Sequence, residues 1–341
     1  MTDSYILSDA PSIPGLRFRP LAGVADADDL LAIHDARAGR DGIDPLSTTE
    51  SVLTREDIVR SLEAMTESGT AGRTILAEID GRAAGYNRFF DWTERDGTHV
   101  WLQVGWVAPE WRGRGLGTAL LRWTEGRIRA EAARSGDRWE FAGNASSTEV
   151  EATALLRDNG YRPAYTVVEM ELDWERFDQL DIEIFAKYPV ANAEIAIRDG
   201  DAADAARIAA SVDEAYRGEY DNGRYAEQFD PADYAEELAG EPHDPALWRV
   251  AWAGDEIAGQ VIPLIERGRA EIYEVSVRPA WRRRGIARAL LVEAIRELRR
   301  REIAVVRLHT VAEFPTRAVE LYESLGFNRL KEFPRYRKAA L

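Results

Sequence analysis

The chain of 341 residues contains no cysteine. That excludes disulfides, thiolate nucleophiles and cysteine-ligated metals, and it suits a reducing compartment. With four histidines and no H-E-x-x-H or comparable spacing, the imidazole metal motifs are missing too, and no metal is expected. Long apolar runs are also lacking. The opening "MTDSYILSDAPSIPGL" is polar and broken by proline, so neither a signal peptide nor a membrane span is expected, and the expected location is cytoplasmic. Nor is there an excess of positive charge. With 44 basic and 60 acidic residues the formal charge is −16, an unfavourable field for nucleic acid, so any anion site has to be a local one.

What is present is an ordinary globular composition, 45% hydrophobic and 30% charged, able to bury real cores. At roughly 150 residues per domain the length favours two domains. The sequence also repeats itself. Trp111 and Trp281 stand 170 positions apart, and the same offset relates Val107 to Val277, Pro109 to Pro279, Gly115 to Gly285 and Leu120 to Leu290. "TILAEIDGRAAGYNRFF" is echoed by "WRVAWAGDEIAGQVIPLI", two strand-like runs joined by Asp-Gly or Gly-Asp turns. "LLRDNGY" is echoed by "LYESLGF", a helix end stopped by Gly160 or Gly326 and leading into a strand. A period this long is too great for a solenoid and reads as two copies of one domain, residues 1–172 and 194–341, joined by a connector over 173–193.

Within each copy the order is strand, helices, a meander of strands, a Gly-rich loop, a long helix, a strand, a helix and a final strand. This is a mixed α/β pattern. "HVWLQVGWV" and "AEIYEVSV", rich in β-branched and aromatic residues, read as the strand before each loop. After the loop, "GLGTALLRWTEGRIRAEAARS" and "GIARALLVEAIRELRRR" carry apolar residues at helical spacing. Glycines at a helix N-terminus let backbone N–H groups converge on an anion at the positive end of the helix dipole. The dinucleotide and P-loop fingerprints both fail here: "GRGLGT" has the wrong glycine spacing, "RRRGIA" has one glycine, and no lysine follows either. What the copies share is R-x-x-G-x-[G/A]: Arg112, Gly115 and Gly117, then Arg282, Gly285 and Ala287.

The string V-x-P-x-W-R-x-R-G-[LI]-[GA], a helix after it and "LYESLGF" beyond resemble the acetyl-CoA loop and closing segment of GNAT N-acetyltransferases. Two such domains in one chain resemble the tandem GNAT proteins, with a mycothiol synthase-like arrangement, and the likeness covers Leu16 to Leu172 and Glu194 to Leu341. It implies a mixed, largely antiparallel sheet flanked by helices in each domain, with acetyl-CoA as co-substrate. It also implies that backbone N–H groups of residues 113–118 and 283–288 hold the coenzyme pyrophosphate. The coenzyme-binding residues are then Val107, Arg112, Gly113, Arg114, Gly115, Leu116, Gly117 and Thr118 in the first copy and Val275, Val277, Arg282, Arg283, Arg284, Gly285, Ile286, Ala287 and Arg288 in the second, the arginines adding charge-assisted contacts.

For the chemistry, the resemblance implies a base that takes the ammonium proton and an acid that protonates the departing thiolate. Tyr322 in "LYESLGF" holds the acid's place, and an ordinary phenol is protonated at neutral pH. The first copy has Leu156 there. For the base, Glu271 and Glu274 both lie on the strand before the loop. Three apart on a regular strand, they face opposite ways, whereas the bulge usual in this family's strand changes that. In mycothiol synthase-like sequences the glutamate lies six residues before the valine matching Val277, which favours Glu271 over Glu274. The first copy offers Trp101 and Val104 instead, so the second copy is expected to be catalytic and the first not. His309 is a minor candidate, and His99 or Gln103 would have to serve if the first copy were active. Pro315 stands seven before Tyr322, where the family often has a coenzyme-contacting Asn, which puts one secondary contact in doubt.

The expected activity is direct acetyl transfer to an amine of a small molecule or peptide. No nucleic-acid or membrane partner is expected, and the protein is expected as a monomer or homodimer. The competing expectation is a non-catalytic acyl-CoA-binding or sensing protein. Residues 35–58 and 213–238, both polar and the second acidic and tyrosine-rich, are expected to shape the acceptor site, which favours a cationic amine.

Overall fold

The computed structural model describes residues 4–50, 52–134, 138–180, 195–217, 229–313 and 316–340. The chain divides into two compact units, Met1–Thr166 with Phe333–Leu341, and Val167–Glu332. The divisions fall inside two long strands, β6 (Arg162–Leu172) and β12 (Phe327–Ala339). Each unit is thus completed by one half of a strand: Arg335 to Ala339 of β12 pair with β5, and Val167 to Glu171 of β6 pair with β11.

In the first unit the strand order is β1 (Leu16–Arg19), β2 (Thr74–Ile79), β3 (Arg82–Thr93), β4 (His99–Val107), β5 (Trp139–Asn144) and β12. All neighbours are antiparallel except β4 and β5. The two-residue periodicity of "TILAEI" sorts its side chains: Ile75, Ala77 and Ile79 join the core under α3 (Leu116–Ala132), while Leu76 joins α1 (Ala27–Asp41) and α2 (Arg55–Glu67). A capping box closes the start of α2, with Thr54 and Asp57 satisfying each other's backbone N–H groups. Asp80 and Gly81, with φ of 50° and 77°, make the tight β2–β3 turn that the Asp-Gly pair implies. The helix α4 (Val150–Asp158) stops before Gly160, at φ 87°.

The second unit follows the same plan, in the order β6, β11 (Val306–Val311), β10 (Arg269–Val277), β9 (Glu256–Glu266), β8 (Arg249–Ala253) and β7 (Ile195–Asp199). β10 and β11 are its parallel pair. Helix α5 (Trp174–Gln179), within the segment expected as a connector, buries Phe177 in this unit's core, and residues 181–194 lie outside the described residues. Helices α6 (Ala205–Tyr216), α7 (Pro231–Ala239), α8 (Ile286–Arg300) and α9 (Ala318–Glu323) complete it. The apolar stripe of α8, Ile286, Leu290, Leu291, Ile295 and Leu298, is fully buried over β8, β9 and β10. Gly326, at φ 96°, ends α9 as Gly160 ends α4. No described helix is long and apolar enough to cross a membrane.

Candidate active site

The two Gly-rich loops have the same backbone. Gly115 and Gly285 cap α3 and α8 in the left-handed region, at φ 86° and 79°. Two residues earlier Gly113 has φ 69° and its counterpart Arg283 has φ 62°. The second copy has lost a glycine there but kept the conformation, at roughly 1–2 kcal/mol for a residue with a Cβ. Neither helix has a side-chain cap or an acidic residue in its first turn. Their leading N–H groups form the positive end of the helix dipole, and the N-cap glycines supply no side-chain acceptor to it, the arrangement that fits a diphosphate.

The shared arginines brace these loops from behind. Arg112 donates through Nε to the Val107 carbonyl at 2.9 Å and through both terminal nitrogens to Asp41 of α1 at 2.5 and 2.9 Å. Arg282 donates to the Val277 carbonyl at 3.0 Å and to that of Ala215 in α6 at 2.6 Å. Arg114 and Arg284 lie over Trp111 and Trp281, at 4.9 and 4.8 Å from the ring centres. Leu116 and Ile286 are buried in the cores. Val107, Val275, Val277, Gly117, Thr118, Ala287 and Arg288 are half-buried, and Gly113, Arg114 and Arg283 are exposed. Pro315 lies outside the described residues.

The strand before the second loop carries the bulge that the resemblance implies. Along β9, Leu264 faces Glu271 and Pro263 faces Ile272, and the next residue, Ile262, faces Glu274, leaving Tyr273 without a partner. Opposed residues on antiparallel strands share a face, and Leu264 and Ile262 are two apart, so Glu271 and Glu274 project from one face of the sheet. The first unit has no such shift: β3 and β4 run in unbroken register from Gly85–Val107 to Thr93–His99. β10 pairs with β11 at Ala270–Val306 and Glu271–Arg307, and the ladder ends there. Glu271 therefore sits at the mouth of a wedge between the strands.

Glu271 is buried, with Arg269 Nη1 at 2.9 Å from Oε2 and His309 Nδ1 at 3.3 Å from Oε1. Glu274 accepts the Tyr216 hydroxyl of α6 at 3.1 Å. Tyr322 is buried in α9 against Phe327, ring centres 5.9 Å apart, with burial and then the charge of Glu274 raising its pKa above the ordinary phenol value. It stays a proton donor throughout the neutral range. The acid expected from the sequence and one of the two candidate bases are thus in one electrostatic environment. Tyr216, Arg269 and His309 are the partners that sequence spacing alone did not pick out as such, since each meets its glutamate through tertiary or strand-face geometry.

In the first unit the matching positions are occupied by packing groups. Leu156 is buried, and a Cβ on Gly143 of β5 would come within 2.7 Å of it. Trp101 is buried against Phe89 and His99, with Arg73 over its ring. His99 lies 3.1 Å from Asp91 and 3.2 Å from the Thr93 hydroxyl, while Gln103 is buried and accepts from Asn87 at 2.8 Å. Yet this unit holds a cavity of about 330 Å³ beyond the last β4–β5 pair, Gln103–Gly143, running from Val107 and Gly117 past Ser146 to His34 and Tyr86. His34 meets the Tyr86 hydroxyl at 2.7 Å, and burial first, then Arg37 and Arg88, push its pKa down to about 3.

The family model described as Acetyltransferase (GNAT) family matches residues 43–160 and 207–327. The chain is 31% identical over 323 residues to a mycothiol acetyltransferase of Kineococcus radiotolerans, with 94% of each chain covered. To a mycothiol acetyltransferase of Nocardia farcinica it is 29% identical, over 88% of this chain and 90% of that one. Among solved structures, a GCN5-related N-acetyltransferase from Sphaerobacter thermophilus matches with a TM-score of 0.70 and 25% identity over 95% of both chains. A tandem GNAT protein from the clavulanic acid biosynthesis pathway shares the fold, with a TM-score of 0.61 and 16% identity over 95% of this chain and 98% of that one.

Proposed function

The chain belongs to the GNAT family of acetyltransferases and is an acetyl-CoA-dependent N-acetyltransferase, and on that premise we propose that its second unit carries out the transfer while its first does not. One observation carries this reading. The bulge at Tyr273 turns Glu271 and Glu274 to a common face, with Tyr322 within the field of Glu274, and the first unit has neither the bulge nor the groups.

The uncapped N-terminus of α8 and the wedge beyond Glu271 and Arg307 fit the coenzyme, with Gly285, Ile286, Ala287 and Arg288 offering backbone N–H groups and Val275 and Val277 lining the strand side. Bound acetyl-CoA supplies the activated acetyl thioester. Glu271, at the wedge mouth and held in place by Arg269 at 2.9 Å, accepts the proton of the acceptor ammonium. Glu274 holds the acceptor side together through Tyr216 and adds negative potential for a cation. Tyr322 holds the proton that the departing sulfur takes up.

The acceptor is an amine of a small molecule, and the relatives named mycothiol acetyltransferases put a mycothiol-type acceptor first. The expected setting is the cytoplasm. The test is thiol release from acetyl-CoA against a panel of such acceptors, polyamines, aminoglycosides and peptide N-termini. The proposal expects amine-dependent release with at least one small-molecule amine. Stoichiometric acetyl-CoA binding without release for any amine would leave a coenzyme-binding protein in its place.

A further inference from the structure

The cavity of the first unit is lined by arginines that the matching strand positions of the second unit lack. Arg88 of β3 and Arg335 of β12 both line it, brought together across 247 positions of sequence by the pairing of β12 with β5. Both are half-buried, and desolvation pulls both guanidinium pKa values below the ordinary arginine value. Arg88 finds the Ser61 hydroxyl at 3.0 Å, the Met65 thioether and the face of Phe90, none of them an anion. Arg335 makes no side-chain hydrogen bond or ion pair among the described residues. Of the carboxylates nearby, Glu149 is engaged by Arg37 at 2.8 Å and by the Ser146 N–H, and Glu50 accepts the Asp44 N–H. On the same wall, Nδ1 of His34, a side chain 6% exposed, is buried without a partner.

The strand ladders show that this charge is particular to the first unit. Arg88 stands opposite Val104, and at the matching pair of the second unit Ile262 stands opposite Glu274. Arg335 stands opposite Asn144, three residues past Phe141, while three past Arg307 the partner of Thr310 is Val168. Two aliphatic residues and a glutamate in one unit thus answer to two arginines and a valine in the other.

We propose that this cavity is a second ligand site, which takes a small molecule bearing a carboxylate that is received by the guanidinium groups lining it, Arg88 and Arg335. A planar guanidinium fork suits a carboxylate, whose oxygens accept in pairs. The volume, about 330 Å³, lies in the range of small-molecule sites, roughly 300–1,000 Å³. Leu120, Leu155 and Leu156 supply an apolar wall for a short carbon body. Desolvation disfavours both cations, and at Arg335 the charge of Glu149 offsets only part of it, so a bound anion stabilises both. The carboxylate comes either from a free acid or from the far end of an acyl chain carried on coenzyme A.

The test is calorimetry on the full chain with succinate, glutarate, their coenzyme A thioesters and acetyl-CoA. Binding of a free dicarboxylate, or binding of its thioester at least tenfold tighter than acetyl-CoA to a site in the first unit, supports the proposal, and the first outcome identifies a free acid while the second identifies an acyl group. Arg88→Met and Arg335→Met each abolish the gain, without lowering the melting temperature and without changing amine-dependent acetyl transfer. Arg335→Lys, which keeps the charge and loses the fork, retains part of it. The proposal is overturned if no free dicarboxylate binds the wild type and no carboxylate-bearing thioester binds the first unit at least tenfold tighter than acetyl-CoA, or if either Met variant, folded by its melting curve, binds the ligand unchanged.

Discussion

Exchanging Glu271 for glutamine separates the two glutamates of β10 by what each is attached to. The amide keeps the shape and a hydrogen-bond acceptor for Arg269, but removes the charge opposing a guanidinium that is 6% exposed. A hydrogen bond to a charged group contributes about 1.5–3 kcal/mol, and breaking a buried ion pair outright costs about 3–5 kcal/mol, so the isosteric change should destabilise the second unit by about 1–3 kcal/mol. Turnover should fall about 10²–10⁴-fold, the usual worth of a positioned base. Glu274→Gln keeps an acceptor for the half-buried Tyr216 hydroxyl and should lose about 1 kcal/mol or less, with roughly a tenfold smaller effect on turnover than Glu271→Gln. The assays are urea unfolding followed by the fluorescence of the core tryptophans, and pre-steady-state thiol release at saturating acetyl-CoA and acceptor. The larger loss of rate should fall on Glu271→Gln. If Glu274→Gln loses the larger share of the rate, the assignment of Glu271 is refuted.

Acid should weaken the first unit through His34, whose pKa is pushed down to about 3 in the folded chain against about 6.5 unfolded. Between those values the unfolded state binds the extra proton, so this stabilisation is complete above about pH 6.5 and is lost as pH falls, at about 1.4 kcal/mol per unit. Urea midpoints at pH 7 and 5 should therefore drop by the equivalent of about 2 kcal/mol in the wild type and by clearly less in His34→Gln; equal drops would put the proton elsewhere. At the coenzyme loop, Gly285→Glu should abolish coenzyme binding to the second unit and turnover with it, while Gly115→Glu retains both. Gly285→Ala carries the same backbone strain without the charge and should bind measurably in calorimetry.

Much of this was legible in the repeat. The strand "HVWLQVGWV" is β4 residue for residue, and the helices after both loops start at Leu116 and Ile286, directly after the capping glycines. Local pattern sufficed there, because turn chemistry and apolar spacing act over a few residues. The bulge was implied by the family resemblance alone, since nothing in "AEIYEVSV" marks Tyr273 as the residue left over; the register of β9 decides it. Longer-range features had no local signal. That β12 gives its second half to the first unit, and so carries Arg335 to the cavity containing Arg88, depends on strand pairing between Arg335 and Asn144, far apart in sequence. The partners of the shared arginines had no local signal either: Arg112 donates to Asp41 and Arg282 to the Ala215 carbonyl, both far away in sequence.

The claim that the second unit alone performs the transfer is tested most directly by single-turnover thiol release in Tyr322→Phe at saturating acetyl-CoA and acceptor. The ring that packs on Phe327 is kept and only the hydroxyl is lost, so acetyl-CoA affinity should hold while the chemical step slows about 10²–10⁴-fold. Leu156→Ala, at the matching place in the first unit, should lower stability by about 2–5 kcal/mol and leave that step unchanged. A Tyr322→Phe protein that releases thiol at the wild-type rate, with chemistry limiting, would contradict the account and leave Tyr322 as a core aromatic.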